Sequence, residues 1–280
     1  MPTLLDSLPS LRETVENHGL LAKKALGQNF LLDRNITDKI IRLSLEKQNK
    51  KDFGGEYVFE VGPGPGGLTR SVLEAKPQKL TVVEMDDRCI GIMQEIKELA
   101  GDRLEIINAD AMTINFGQMD QAPRNIVSNL PYNISVPLLT GWLTQIENFS
   151  SLTLMFQKEV ADRICAPAGC KDYGRISVFS QLLCKIEHLF DLNPNCFVPA
   201  PKIWSSVLLF QPLHAEISAE DLKKVEKLTS LAFGQRRKMI RQSLKALPEI
   251  KEKLKQLNIP ETARAEQLTP RQYLDLARLI

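Results

Sequence analysis

Tyr57-Val58-Phe59-Glu60-Val61-Gly62-Pro63-Gly64-Pro65-Gly66-Gly67 is an apolar run of strand length that breaks into a glycine-rich turn. Leu68-Thr69-Arg70-Ser71-Val72-Leu73 carries the pattern of a following helix, and Leu80-Thr81-Val82-Val83-Glu84 reads as a second buried strand closed by a carboxylate. Gly62, Gly64 and Gly67 fit G-x-G-x-x-G, a turn that lets main chain approach an adenosine-containing ligand. This spacing alone does not separate NAD from S-adenosylmethionine. Pro63 and Pro65 each delete an N–H donor, which makes the turn a poor phosphate cradle and favours the cationic sulfonium cofactor. The acidic residues Glu60, Glu84 and Asp110 suit the same ligand. Glu84 and Asp110 fall at strand C-termini, where open α/β sheets bind ligands. Glu84 can accept from ribose hydroxyls, and Asp110 from the cofactor's adenine amine.

Outward from this turn, strands are expected near 57–61, 80–84, 103–108, 124–128 and 151–156, with segments of helical length between them. Such alternation means a parallel sheet wrapped by helices. Two further strands are expected near 185–190 and 204–211, on either side of the Pro-rich loop from Pro194 to Pro201. Beyond Ser218 the pattern is helical (219–232, 235–247, 249–257 and 270–279), punctuated by Pro248, Pro260 and Pro270. The expected fold is α/β: a Rossmann-like S-adenosylmethionine-dependent methyltransferase sheet over 23–212 and a small all-helical domain over 213–280. Residues 1–22, with apolar positions at Leu4, Leu8, Leu11 and Val15, form an N-terminal arm or short helix. Ile36, Ile40, Ile41 and Leu45 predict an amphipathic helix starting near Asp33 or Asn35.

A second motif supplies the chemistry. Asn129-Leu130-Pro131-Tyr132 ends the strand Asn125-Ile126-Val127-Ser128. The exocyclic nitrogen of adenine is a poor nucleophile because its lone pair is delocalised into the ring. Accepting hydrogen bonds from both of its N–H groups aims that lone pair at an electrophile. The Asn129 side-chain oxygen is one acceptor, and the main-chain carbonyl of Leu130 or Pro131 is the second. Pro131 stiffens the turn and adds no competing donor. Tyr132 offers a stacking face worth about 1–3 kcal/mol per base. No general base is needed, because the amine becomes acidic once it carries the methyl.

With these motifs in hand, the chain resembles the KsgA/RsmA family of bacterial small-subunit ribosomal RNA adenine dimethyltransferases. The resemblance is carried by Lys24-Ala25-Leu26-Gly27-Gln28-Asn29-Phe30-Leu31, Glu60 to Gly67, Val83-Glu84-Met85-Asp86, Asn108-Ala109-Asp110-Ala111-Met112 and Asn129 to Ser135. It continues through Gln157-Lys158-Glu159-Val160, Tyr173-Gly174-Arg175 and Phe197-Val198-Pro199-Ala200-Pro201-Lys202. The resemblance implies that Asn29, Leu31, Gly62, Glu84, Asp110 and Asn129 line the cofactor site and that Phe197 stacks on the far face of the target base. It also implies two methyls on each of two adjacent adenines in the 3′-terminal hairpin loop of 16S ribosomal RNA, within an immature small subunit. Trp204 departs from the family, which more often has a small or polar residue there. An Erm-type 23S adenine dimethyltransferase and a non-catalytic RNA-binding assembly factor are the competing readings.

Composition agrees with a soluble protein, with 43% hydrophobic and 25% charged residues. There is no apolar run of the roughly 18 residues that a membrane span needs. Five cysteines without a C-x-x-C pair point to reduced thiols in a cytoplasm and to no metal site. A monomer is expected, with RNA as partner and no membrane. The net charge of +2 conceals an asymmetry: from Leu213 onward there are 14 Lys and Arg against 9 Asp and Glu, and before it 22 against 25. Arg236, Arg237, Lys238, Arg241 and Lys245 crowd one segment. Arg237, Arg241 and Lys245 are spaced to share one face of the expected 235–247 helix, as a phosphate-binding surface.

Overall fold

The computed structural model describes residues 4–20, 29–119, 121–214 and 216–280. Lys24 to Gln28, the start of the first family-like stretch, lie outside the described residues. The strands are β1 (Phe30–Leu31), β2 (Tyr57–Val61), β3 (Lys79–Glu84), β4 (Leu104–Asn108), β5 (Arg124–Asn129), β6 (Ser151–Gln157), β7 (Cys184–Leu192), β8 (Phe197–Val198) and β9 (Ser205–Pro212). The helices are α1 (Leu11–Asn17), α2 (Arg34–Lys47), α3 (Gly67–Glu74), α4 (Asp87–Ala100), α5 (Ser135–Leu143), α6 (Lys158–Cys165), α7 (Arg175–Leu183), α8 (Ala219–Gly234), α9 (Ile240–Ser243), α10 (Ile250–Gln256) and α11 (Pro270–Arg278).

Seven strands form one sheet in the order β4-β3-β2-β5-β6-β9-β7. The pairs β4–β3, β3–β2, β2–β5 and β5–β6 are parallel, and β9 runs antiparallel to β6. The order reverses between β2 and β5, the position at which open α/β sheets form a binding crevice. The central strands β2, β3, β5 and β6 are buried nearly end to end, as expected for a sheet covered on both faces. Phe59, Phe116 and Trp142 pack edge to face in the core, with centroids 5.6 and 5.8 Å apart.

Local chemistry sets the helix starts. The Asp33 side chain accepts the Asn35 amide at 2.9 Å and caps α2. Ser10 and Glu13 form a capping box that makes the N-terminal arm a true helix, α1. Arg70 of α3 fastens this arm, donating to the Pro9 carbonyl at 2.7 Å and to Thr14 at 3.2 Å.

Two compact units divide the chain. The first is Met1–Lys158 with Glu187–Pro212, and the second is Glu159–Ile186 with Leu213–Ile280. The second unit thus takes in 159–186, which the sequence pattern places in the 23–212 domain. The reason lies in its own core. α7 packs on α8 and α11, and Tyr173, Phe233 and Tyr273 form a continuous aromatic row with centroids 6.1 and 5.9 Å apart.

The expected 235–247 helix does not form as one element. α8 ends at Gly234, a turn follows, and only Ile240–Ser243 is α-helical. A bridge between Met239 and Arg264, with the Ile240 amide donating to the Ala263 carbonyl at 2.6 Å, breaks the helix register. Arg237, Arg241 and Lys245 therefore do not share a single helix face. Two of the five cations in this segment are also engaged internally. Arg236 pairs with Glu266 at 3.4 Å, and Arg241 with Glu261 at 3.4 Å. Arg237, Lys238 and Lys245 are exposed, and none belongs to an ion pair among the described residues.

Candidate active site

A cavity of about 290 Å³ opens at the C-terminal ends of β2, β3 and β5, within the first unit. Its walls include Asn29, Leu31, Glu60, Gly62, Gly64, Glu84, Asp110 and the whole of Asn129 to Ile134. All of the cofactor-site residues expected from the sequence therefore meet in one place, together with the Asn-Leu-Pro-Tyr box. Phe197 does not join them. It pairs with Leu31 through the two-stranded β1–β8 ladder and is only 2% exposed, in the core beneath the cavity wall. Its contribution here is to hold β1, and hence Leu31, in the wall.

The glycine turn and the box touch. Gly62 has φ +69°, and a Cβ placed there would lie 3.4 Å from the Pro131 ring. Gly64 has φ +54°, and a Cβ there would lie 3.0 Å from the Phe30 ring. Both positions need glycine for backbone conformation, and Gly64 also for space.

Glu60 is 1% exposed and accepts from the Thr69 hydroxyl at 2.7 Å. Burial drives its carboxyl up to about 8; the Thr69 bond opposes this, and the Glu84 carboxylate adds to it. Burial also raises Glu84, opposed by main-chain amides of Asp86, Met85 and Gly64. Two of those amides, Met85 and Asp86, reach the same carboxylate oxygen at 2.8 and 2.9 Å. Asp110 is exposed and accepts the Met112 amide at 2.9 Å, which fixes the carboxylate at the cavity rim.

In the box, the Asn129 Nδ2 donates to the Asn29 carbonyl at 3.4 Å. This orients the amide and leaves its oxygen as the acceptor. The Pro131 carbonyl already accepts the Ile134 amide at 3.1 Å, so of the two main-chain candidates Leu130 is the one the turn leaves uncommitted. The Tyr132 hydroxyl lies 2.6 Å from Ser205 Oγ, at the start of β9. Burial raises the Tyr132 phenol, with the Ser205 bond opposing, so the ring stays neutral. Ser205 could not be found by sequence reasoning, because nothing local links it to a residue 73 positions away. The same holds for Ser128, whose hydroxyl donates to the Val61 carbonyl at 2.6 Å across the switch point. Among the described residues, no His, Cys, Asp and Glu group could hold a metal ion, and no helix is long and apolar enough to cross a membrane.

A family model described as ribosomal RNA adenine dimethylase matches residues 19–280. Ribosomal RNA small subunit methyltransferase A of Rhodospirillum rubrum is 44% identical over 279 residues, covering 98% of this chain and 93% of that protein. The protein of the same name from Azorhizobium caulinodans is 46% identical over 278 residues, with 98% and 93% covered. Among solved structures, a dimethyladenosine transferase from Plasmodium falciparum aligns with TM-score 0.74 at 24% identity, covering 87% of this chain and 94% of that one. The 23S rRNA methyltransferase ErmE aligns with TM-score 0.66 at 24% identity, covering 89% and 98%. At such identity these two likenesses establish the Rossmann-like fold alone.

Two outcomes follow from this geometry. Gly64→Val should abolish S-adenosylmethionine binding in calorimetric titration while leaving the circular dichroism spectrum intact, since its side chain must displace the Phe30 ring of the cavity wall. An unchanged titration would contradict the close approach. Glu60 is expected to make the stability of the protein without ligand depend on pH. The unfolded carboxyl loses its proton near its ordinary value of about 4.3, whereas the folded one holds it up to about 8. Stability should therefore fall as pH rises across that window and level off above it. In urea titrations at pH 5, 7 and 9, Glu60→Gln should show progressively more advantage over the parent, and parallel curves would refute the shift.

Proposed function

The chain belongs to the ribosomal RNA adenine dimethylase family, and on that premise we propose that it dimethylates the N6 amino groups of two adjacent adenines in the 3′-terminal hairpin loop of 16S ribosomal RNA, in a maturing small subunit. The observation that carries this reading is the meeting of Asn129, the Leu130 carbonyl and the glycine turn in one cavity. The small-subunit assignment is supported by 44–46% identity to small-subunit methyltransferases over 98% of the chain, whereas the likeness to ErmE lies at the level of fold.

The cavity fits S-adenosylmethionine. Buried Glu60 and half-buried Glu84 suit a cationic ligand, Pro63 and Pro65 suit one without phosphate, and the left-handed Gly62 and Gly64 allow close main-chain approach. We assign Asn29, Leu31, Gly62, Gly64, Glu84, Asp110 and Asn129 to holding it. When bound, it supplies an electrophilic methyl group. The protein's own part is positioning and electrostatics. The Asn129 side-chain oxygen and the Leu130 carbonyl accept the two N–H groups of the adenine amine, and the ring of Tyr132, tethered by Ser205, carries the base. Loop adenines suit such a site because they are already unstacked and cost little to extrude. Of the five cations in the 236–245 segment, Arg237, Lys238 and Lys245 are exposed and open to phosphate. Arg236 and Arg241, already paired, contribute less.

Small subunits from cells lacking the gene should gain four methyls on the 3′-terminal hairpin when incubated with the protein and S-adenosylmethionine, as read by mass spectrometry of the RNA. Asn129→Ala should slow that transfer by roughly 10²–10³ with cofactor affinity partly retained. Methyls appearing on the large-subunit RNA instead, or a near-normal single-turnover rate in the variant, would overturn the assignment. Arg237→Glu with Lys238→Glu should weaken RNA binding and flatten its salt dependence by about 0.7 in log–log slope per lost contact, while Arg241→Gln should move the slope less. Identical slopes for all three proteins would mean that the exposed cations are idle.

A further inference from the structure

The large apolar side chains exposed in the first unit gather in two places among the described residues. Met85 and Met112 stand on the cavity wall, and Val198, Ile203 and Trp204 lie in the segment from β8 to the start of β9. Trp204 is 47% exposed, although its backbone is firmly held. Its carbonyl accepts the Lys158 amide at 2.8 Å, and the next residue, Ser205, pairs with Gln157 and holds the Tyr132 hydroxyl at 2.6 Å. The indole is therefore one residue away from the group that tethers the proposed base-stacking ring.

A cation is fixed in the same place. Lys158 Nζ lies 3.1 Å from Asp191 Oδ2. The other oxygen of that carboxylate is 2.6 Å from both Ser206 Oγ and His188 Nε2. Burial would raise this carboxyl, but the bonds from Ser206, His188 and Lys158 together hold it down at about 2. Asp191 is thus an anionic post that orients the half-exposed Lys158 ammonium.

An exposed aromatic on a fixed stretch of main chain beside an oriented cation is the arrangement that binds single-stranded nucleotides, with the base stacked on the ring and its phosphate met by the charge. We propose that Trp204 and Lys158 form a platform for one unpaired nucleotide flanking the target adenine, so that Tyr132 and Trp204 hold neighbouring bases of the same loop. This rests on the RNA-methylating function proposed above and adds to it a specificity residue outside the cavity.

The protein's own fluorescence offers the test. It has two tryptophans, and Trp142 is 2% exposed, so an emission change on RNA binding reports Trp204. Titrating the full chain with a loop oligoribonucleotide should give saturable quenching, absent in Trp204→Phe. Trp204→Ala should bind the oligonucleotide about 5- to 150-fold more weakly, whereas Trp204→Phe should stay within about threefold of the parent. Replacing the flanking nucleotide with an abasic one should cost the parent a similar factor and cost Trp204→Ala almost nothing more. On under-methylated small subunits, the Trp204→Ala loss should fall mainly on KM rather than kcat. No quenching, parent-like affinity in Trp204→Ala, or additive losses with the abasic oligonucleotide would overturn the platform. Quenching by whole subunits but not by the oligonucleotide would assign the patch to a ribosomal protein and equally overturn it. The oligonucleotide measurements need no methyl transfer, so they stand or fall separately from the proposed activity.

Discussion

Strands β2 and β5 share a ladder from Tyr57 and Arg124 only as far as Phe59 and Ile126. Past that point the ladder ends, and the Ser128 hydroxyl donating to the Val61 carbonyl spans the gap. The other end of the same pair is closed by a dense polar lock. The Asn125 amide donates to Glu56 at 2.7 Å, Lys50 pairs with Glu56 at 2.7 Å, and Ser151 donates to Asn125 at 2.8 Å. A strand pair sealed at one end and unpaired at the other can place a cavity only at the unpaired end. Both chemical motifs lie beyond the end of the ladder. The glycine turn leaves β2 and the Asn-Leu-Pro-Tyr box leaves β5, and they meet again where Pro131 covers Gly62.

The same geometry explains the most costly feature of the site. Glu60 is in β2 itself, just before the turn, so it is buried with the strand. A buried carboxyl next to a second one is an unfavourable arrangement, and the Thr69 hydroxyl compensates only in part. Proteins keep such arrangements where function uses them. A cation entering the cavity would relieve the repulsion between Glu60 and Glu84 and lower the cost of ionising both. The acidic floor is thus a liability in the empty protein and an attraction for a sulfonium.

Most of this could be read from the chain because the deciding signals are local. Each central strand is a short, mostly apolar run, each long helix has its own cap, and the glycine turn and the box are contiguous motifs whose topology brings them together. What could not be read depends on contacts between distant segments. The basic stretch from Gln235 to Leu247 has helical spacing, but the Met239–Arg264 bridge takes its amides and breaks it. The family resemblance implies that Phe197 stacks on the target base, yet pairing with Leu31 turns it inward. Residues 159–186 follow the sheet in sequence but belong with later helices, through an aromatic row whose members are scattered from Tyr173 to Tyr273.

Two methyl transfers to one nitrogen place unequal demands on the two acceptors. After the first, the amine keeps a single N–H, so one acceptor must release its partner without losing its own place in the fold. The Leu130 carbonyl cannot move, because the turn that holds it is fixed by the Pro131–Ile134 bond and by Ser135 donating to Tyr132 at 3.0 Å. The Asn129 side chain can. Among the described residues, its side chain is tethered by a 3.4 Å bond to the Asn29 carbonyl, near the limit of a useful hydrogen bond, and its amide turns about side-chain torsions. On the proposed assignment, the main-chain acceptor would set the angle of attack in both rounds, and the side-chain acceptor would yield the space that the first methyl comes to occupy.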